Sequence, residues 1–204
     1  NTKMILIGYS GHAFVVYGIL RSAGKKVIGY CDVTEKQHDP FDLVYHGTEL
    51  SGSGLKALQQ HEFFIAIGDN PTRAKIQNQL AQKSLVPVNA IHSSSIIDPS
   101  AAIAEAGVMV AANVTINPLA QIGTGAICNT GCVIEHECTV GNFAHIGPGA
   151  VLCGNVKVGE GSFVGANAVI RQGISIGKNV MIGAGAVVVK DVADNVTVIG
   201  VPAK

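Results

Sequence analysis

The 204-residue sequence predicts two joined folds, a small parallel α/β unit over residues 1–92 and a parallel β-helix over 93–204. Three observations predict this class. Apolar residues recur at every sixth position through the second half, strand-like and helix-like segments alternate in the first, and the pattern changes near residue 95. The composition suits a chain rich in turns: 25 glycines, and 14% charged residues, about half the usual share.

Met4-Ile5-Leu6-Ile7 is an apolar run of strand length, followed by the loop Gly8-Tyr9-Ser10-Gly11-His12. Ala13 to Ala23 is amphipathic and predicts a helix with Gly24 at its C-cap. Val27 to Tyr30 reads as a second strand, ending at Cys31-Asp32. Residues 34–61 are polar and Gly-rich and carry no clear pattern. Phe63 to Ile67 is a third strand ending at Gly68-Asp69-Asn70, and Pro71 opens a helix running to about Lys83. Val86 to Ile91 reads as a fourth strand. Strands and helices alternating over short connections argue for a small Rossmann-like parallel sheet.

From Val110 to Val188 fourteen consecutive sixth positions are apolar or Cys without a slip, and Ile97 and Ile103 extend the series backward across one inserted residue. Four residues after each anchor stands a small or modest residue, as at Ala120, Ala126, Cys132, Cys138, Ala144, Ala150 and Ala168. One large inward residue, a turn permissive for positive φ and one small inward residue make a short strand and a corner. Three such hexads per turn wind a triangular parallel β-helix.

The neutral balance, 14 Lys+Arg against 14 Asp+Glu, gives no electrostatic footprint for nucleic acid or an anionic membrane. Gly, Asn and Ser interrupt every apolar run before it reaches membrane-spanning length, so no membrane insertion is expected. The opening Asn1-Thr2-Lys3-Met4-Ile5-Leu6-Ile7-Gly8 has too short an apolar run for a signal peptide. Five cysteines without paired spacing suggest packed, reduced thiols and a cytoplasmic protein.

Glu135-His136-Glu137 breaks the repeat where Gly, Asn or Ala usually stands. An imidazole titrates near working pH and suits a general base, and an adjacent carboxylate favours its protonated form. His145 follows nine residues later, half a coil onward, so the two need not meet within one chain. The Gly8–Gly11 loop lacks the third glycine of a dinucleotide fingerprint, yet it leaves N–H groups free for phosphate, with Asp32 placed to reach ribose or base. Asn70-Pro71-Thr72-Arg73 fits either a phosphate-binding helix start or an ordinary cap with a solvated arginine. Cys128, Cys132 and Cys138 occupy inward repeat positions and are read as packing rather than zinc ligands; no metal is expected.

A Gly-x-Ser-Gly-His loop in a small Rossmann-like unit, followed by hexapeptide repeats carrying Ile134-Glu135-His136-Glu137-Cys138, resembles the bacterial nucleotide-sugar N-acetyltransferases. These act on nucleotide-linked 4-amino-4,6-dideoxy sugars of the bacillosamine, perosamine or N-acetylviosamine pathways, which feed polysaccharide and O-antigen synthesis. Sialic-acid O-acetyltransferase-like proteins share the layout. The resemblance runs over essentially the whole chain, to Gly200-Val201-Pro202-Ala203-Lys204. It implies a left-handed β-helix, a cytoplasmic homotrimer with sites between neighbouring β-helices, and acetyl-CoA as co-substrate. It implies His136 as general base and Glu137 as its supporting carboxylate. The nucleotide-sugar side would comprise Ser10, Gly11, His12, Asp32, Gly68 and Asn129, and the acetyl-CoA side His145, Gly154, Ala166 and Ala184. One departure is that family members often carry two acidic residues after the second strand, where this chain has Asp32-Val33. The alternatives are an O-acetyltransferase of the sialic-acid type, using the same base on a hydroxyl, and a non-catalytic hexapeptide assembly protein.

Overall fold

The structure, a computed structural model, describes residues 2–204; Asn1, the first residue of the opening stretch discussed above, lies outside the described residues. The N-terminal unit runs β1 (Lys3–Ile7), α1 (Gly11–Ser22), β2 (Lys26–Cys31), β3 (Val44–Tyr45), α2 (Gly52–Gln60), β4 (Glu62–Ile65) and α3 (Asn70–Ala81). Its strands pair in parallel in the order β3-β2-β1-β4. Central β1 is flanked on both edges and buried from Met4 to Ile7, which is why it reads as an unbroken apolar run rather than an alternating one.

Two expectations change here. The fourth strand of this sheet is Val44–Tyr45, inside the unassigned stretch 34–61, which also holds α2. A two-residue strand is too short to show periodicity. Of Val86 to Ile91, only Ala90–Ile91 is a strand, and it pairs with Met109–Val110 in the β-helix instead. Pro87 has no N–H to give a ladder, and Val88 donates a single hydrogen bond to the Phe63 carbonyl at 3.1 Å as the chain leaves the sheet.

The second half is a left-handed β-helix of two-residue strands. Ile122 is in register with Val140, Ile134 with Leu152 and Ile146 with Val164, one coil of three hexads apart. The anchors and the small residues four positions on are buried together inside, among them Ile134, Cys138, Ala144, Ile146 and Ala150. At the corners one residue takes a left-handed conformation, with φ from +55° to +68° at Gly125, Gly131, Glu137, Phe143, Gly149, Asn155, Gly161 and Asn167. Glycine and asparagine adopt this region readily, and so they dominate there.

The coils form three flat faces of seven, six and five strands. The seven-stranded face, which contains Ile127–Cys128, His145–Ile146 and Phe163–Val164, meets the N-terminal unit and is called the docking face below. The chain then turns onto the six-stranded face, whose outward row is Ile96, Thr115, Val133, Val151, Val169 and Val187. This is the valine face. The third face presents Ala102, Gln121, Thr139, Lys157 and Ser175, and is the polar face.

Candidate active site

His136 stands on the edge between the valine and polar faces, in the corner after the strand Val133–Ile134. Its Nδ1 lies 3.0 Å from Oε2 of Glu137, and both side chains are about half exposed. Glu137 reaches this position from a left-handed backbone, φ +60°. One coil on, at the same corner, Gly154 is buried beneath the imidazole, where an added Cβ would come within 2.5 Å of His136 Nε2. Nδ1 is thus engaged by a carboxylate, while Nε2 faces a surface without a side chain. The stacking is fixed by the backbone, since Asn155 N–H donates to the His136 carbonyl at 2.8 Å.

His145 lies elsewhere, on the docking face. It is buried against Phe163, with ring centroids 4.7 Å apart, and against His12 at 6.3 Å. Its Nε2 is 3.1 Å from Asn129 Nδ2, and the Asn129 Oδ1 accepts the Thr130 N–H at 2.8 Å, so the asparagine amide is oriented to donate to the ring. Burial first, then the positive charge of Arg73, pulls His145 from 6.5 down to about 4. The same two causes lower His12 to about 4. Among the described residues His12 Nε2 and His145 Nδ1 are buried without a hydrogen-bond partner, the Gly68 carbonyl acting on His145 only as a weaker opposing influence.

Ser10, Gly11, Asp32 and Gly68 come together at the carboxyl ends of β1, β2 and β4, the side on which parallel sheets bind ligands. Ser10 makes no side-chain cap at the start of α1, leaving that helix end open. Asp32 is already partly engaged. It accepts from the Tyr9 N–H at 2.9 Å and pairs with Lys36 at 3.1 Å, a local anchor that its family role did not suggest. Gly68 lies against the His12 ring and borders, with Phe163 and Met181, a cleft of about 510 Å³. Ala166 and Ala184 occupy successive corners between the docking and valine faces, on the same edge as Asn129.

The residues expected at the site therefore fall on two edges of the prism. His136, Glu137 and Gly154 line the valine–polar edge, and Asn129, Ala166 and Ala184 the docking–valine edge, with His145 beside Asn129 on the docking face and the valine face between the two edges. Within one chain these two groups of residues stand apart. Cys128, Cys132 and Cys138 are fully buried in the β-helix, where burial pushes the Cys138 thiol up to about 11.

The segment Asn70-Pro71-Thr72-Arg73 is the capped helix start of its second sequence reading, but its arginine is not solvated. Asp69 caps α3 with its own carboxylate, accepting from Thr72 N–H at 2.9 Å, which sets a negative charge where a phosphate would sit. Arg73 is only 1% exposed rather than solvated. Arginine is rarely buried without an acid, and nothing in the sequence around it marks this one as an exception.

Residues 3–80 match the PglD N-terminal domain family, and residues 137–172 and 155–190 match the bacterial transferase hexapeptide repeats. A mutant perosamine N-acetyltransferase from Caulobacter crescentus, solved with CoA and GDP-perosamine, is 40% identical, with 99% of this chain and 95% of that one covered and a TM-score of 0.92. The chain belongs to the hexapeptide-repeat nucleotide-sugar N-acetyltransferases. The acetyltransferase domain of PglB from Neisseria gonorrhoeae, solved with acetyl coenzyme A, is 34% identical over 100% of this chain and 98% of that one, with a TM-score of 0.92. WeeI from Acinetobacter baumannii, at 22% identity and a TM-score of 0.82 over 100% of this chain and 99% of that one, shares the fold. Among the described residues no helix is long and apolar enough to cross a membrane.

Proposed function

We propose that this N-acetyltransferase moves the acetyl group of acetyl-CoA onto the C4 amine of a nucleotide-linked 4-amino-4,6-dideoxyhexose, as a cytoplasmic homotrimer. The observation that carries the reading is the His136–Glu137 pair held over the bare backbone of Gly154. The amine nitrogen attacks the thioester carbonyl, His136 Nε2 takes the proton released as the C–N bond forms, and Glu137 steadies the imidazolium through Nδ1. The Gly154 N–H makes no backbone hydrogen bond among the described residues and supplies a donor for the tetrahedral oxyanion. Collapse breaks the C–S bond and CoA leaves with the proton. Cys128, Cys132 and Cys138 are buried in the β-helix, out of reach as nucleophiles, and the partly buried Cys153 thiol has no hydrogen bond to His136 among the described residues, which favours direct transfer.

A trimer supports this division of labour. Three triangular prisms that turn their valine faces toward a common axis bring the valine–polar edge of one to the docking–valine edge of the next, a heterologous contact that closes on itself. His136 and Gly154 of one subunit then share a cleft with Asn129, His145, Ala166 and Ala184 of its neighbour. Residues 1–92 would hold the nucleotide sugar through Ser10, Gly11, His12, Asp32 and Gly68, and residues 93–204 the acetyl-CoA.

The deciding experiment is mass spectrometry of acetyl transfer from acetyl-CoA to a panel of GDP-, UDP- and dTDP-linked 4-amino-4,6-dideoxy sugars, with hydroxyl acceptors alongside. GDP-perosamine heads the panel because the Caulobacter relative was solved with it. One added acetyl on an amino sugar, lost in His136→Ala with acetyl-CoA still bound, supports the reading. Transfer to hydroxyl acceptors alone would overturn it in favour of O-acetylation.

A further inference from the structure

Asn70, Arg73 and Gln77 lie at i, i+3 and i+7 of α3, along one stripe of the helix. Each donates to backbone carbonyls on the polar–docking edge of the β-helix. Asn70 Nδ2 reaches Gly161 O at 3.0 Å and Ser162 O at 3.3 Å. Arg73 Nε reaches Gly125 O at 2.8 Å and its Nη2 reaches Phe143 O at 2.9 Å. Gln77 Nε2 reaches Ala106 O at 3.4 Å. These carbonyls belong to four successive coils. Parallel strands stack about 4.8 Å apart, so the four coils span about 14 Å. Seven residues of helix advance about 10.5 Å, and the fork of Arg73, serving two coils at once, makes up most of the difference.

Arg73 spends its remaining nitrogen on the other body. Nη1 donates to Ile67 O at 3.1 Å and Gly68 O at 3.0 Å, in the loop that follows β4. A second bond from Nη2 to Asn70 Oδ1, at 2.8 Å, ties it to the next member of the row. All its hydrogen-bond acceptors are neutral, so this buried cation is held by carbonyl and amide dipoles, with the Asp69 carboxylate at the start of α3 acting on it only through space. Such a group is costly for packing alone. The bonds converge on one place: Phe143 is two residues before His145, and Gly68 lies against His12, whose ring faces His145.

We propose that Arg73 is a positioning residue for acetyl transfer, setting the height of the nucleotide-sugar unit along the β-helix so that Gly68 and His12 come level with His145. Its charge, buried beside both imidazoles, also helps to keep them neutral. The inference rests on the N-acetyltransferase reading for its kinetic arm only.

The test uses full-length Arg73→Lys and Arg73→Met. In steady-state transfer to the amino sugar found by the panel, Arg73→Lys is expected to lose at least about thirtyfold in kcat/KM for the sugar. Its KM for acetyl-CoA is expected to stay within about twofold of the parent, since the lysine keeps the charge but not the fork. In NMR titrations of the histidine rings without substrate, Arg73→Met is expected to raise the His12 and His145 midpoints by at least about half a unit. A general loss of structure would depress both substrates together and would also raise His46, a third imidazole lowered by burial but not by Arg73, whereas loss of the Arg73 charge alone leaves His46 unmoved. Unchanged kcat/KM in Arg73→Lys overturns the proposal, as do unmoved midpoints in Arg73→Met. Should Arg73→Met fail to fold, the lysine variant decides. If the parent protein transfers no acetyl group at all, the functional reading has failed, and the titrations still judge Arg73.

Discussion

A Cβ on Gly154 would lie 2.5 Å from Nε2 of His136, so the glycine's missing side chain is what leaves the imidazole free to face a substrate. Gly154 is not in the left-handed region, so alanine meets no backbone strain, and the half-exposed His136 ring can swing away to make room. Gly154→Ala is therefore expected to fold and to unfold within a few degrees of the parent while losing about 10²-fold in kcat. Thermal unfolding beside steady-state kinetics checks both halves. A large fall in stability with kcat retained would mean that the glycine serves the coil and not the base.

Glu137 makes the opposite trade. Its corner position, at φ +60°, is filled by asparagine at the equivalent turns at 113, 155, 167 and 179. A glutamate there pays a backbone penalty that asparagine largely avoids. Glu137→Asn is expected to gain about 0.5 kcal/mol in urea unfolding and to lose about tenfold in kcat, because the contact to His136 Nδ1 goes with it. A loss of stability would show that this contact outweighs the strain.

The sixfold repeat was legible because one inward anchor per hexad is all that the β-helix core asks of a sequence, and Val110 through Val188 supply it without a gap. His136 and Glu137 stood out for a related reason, as an imidazole with a carboxylate on either side at a corner whose left-handed position is mostly Gly or Asn elsewhere in the repeat. The rest left fainter marks. Val44–Tyr45 is too short for a period, and the stripe of α3 that meets the β-helix is the polar Asn70, Arg73 and Gln77, while only Ile76 and Leu80 are buried as apolar residues in the core beside the sheet, so hydrophobic periodicity does not reveal that contact. Val133, Val151, Val169 and Val187 did leave a signal, one valine per coil just before the anchor, visible only when the sequence is read in steps of eighteen. His145 is one residue before its own anchor and looks like any surface position until the N-terminal unit is laid over it.

Acid should loosen the protein through its buried imidazoles. His12 and His145 are each lowered from 6.5 to about 4, by burial first and by Arg73 second. Between those values the unfolded chain binds protons that the folded chain refuses. Their contribution is intact above about 6.5 and is lost as pH falls through that window toward 4. For His145 alone the full loss is on the order of 3 kcal/mol. Urea midpoints from pH 7 to 4 are expected to fall, and to fall less steeply in His145→Asn. Equal slopes in the two proteins would place the acid sensitivity elsewhere.

The valine face should govern assembly and activity together. Val133, Val151, Val169 and Val187 are only half-buried in the single chain, while the inward Ile134, Leu152, Ile170 and Val188 of the same strands are at most 2% exposed. A ladder of β-branched residues on a flat outer surface gains by burial against a second copy, at about 25 cal/mol per Å² of apolar area covered. Val151 stands mid-ladder, so in the proposed trimer a carboxylate there would be buried three times around the threefold axis, next to its own copies. Val151→Glu is expected to give a monomer by light scattering, with the far-ultraviolet dichroism of the parent because the inward anchors are untouched. The same variant should lose at least about 10³-fold in acetyl transfer, since His136 and Asn129 would no longer share a cleft. A monomer that kept its activity would confine the whole site to one chain, and would require His136 and His145 to act on different substrates.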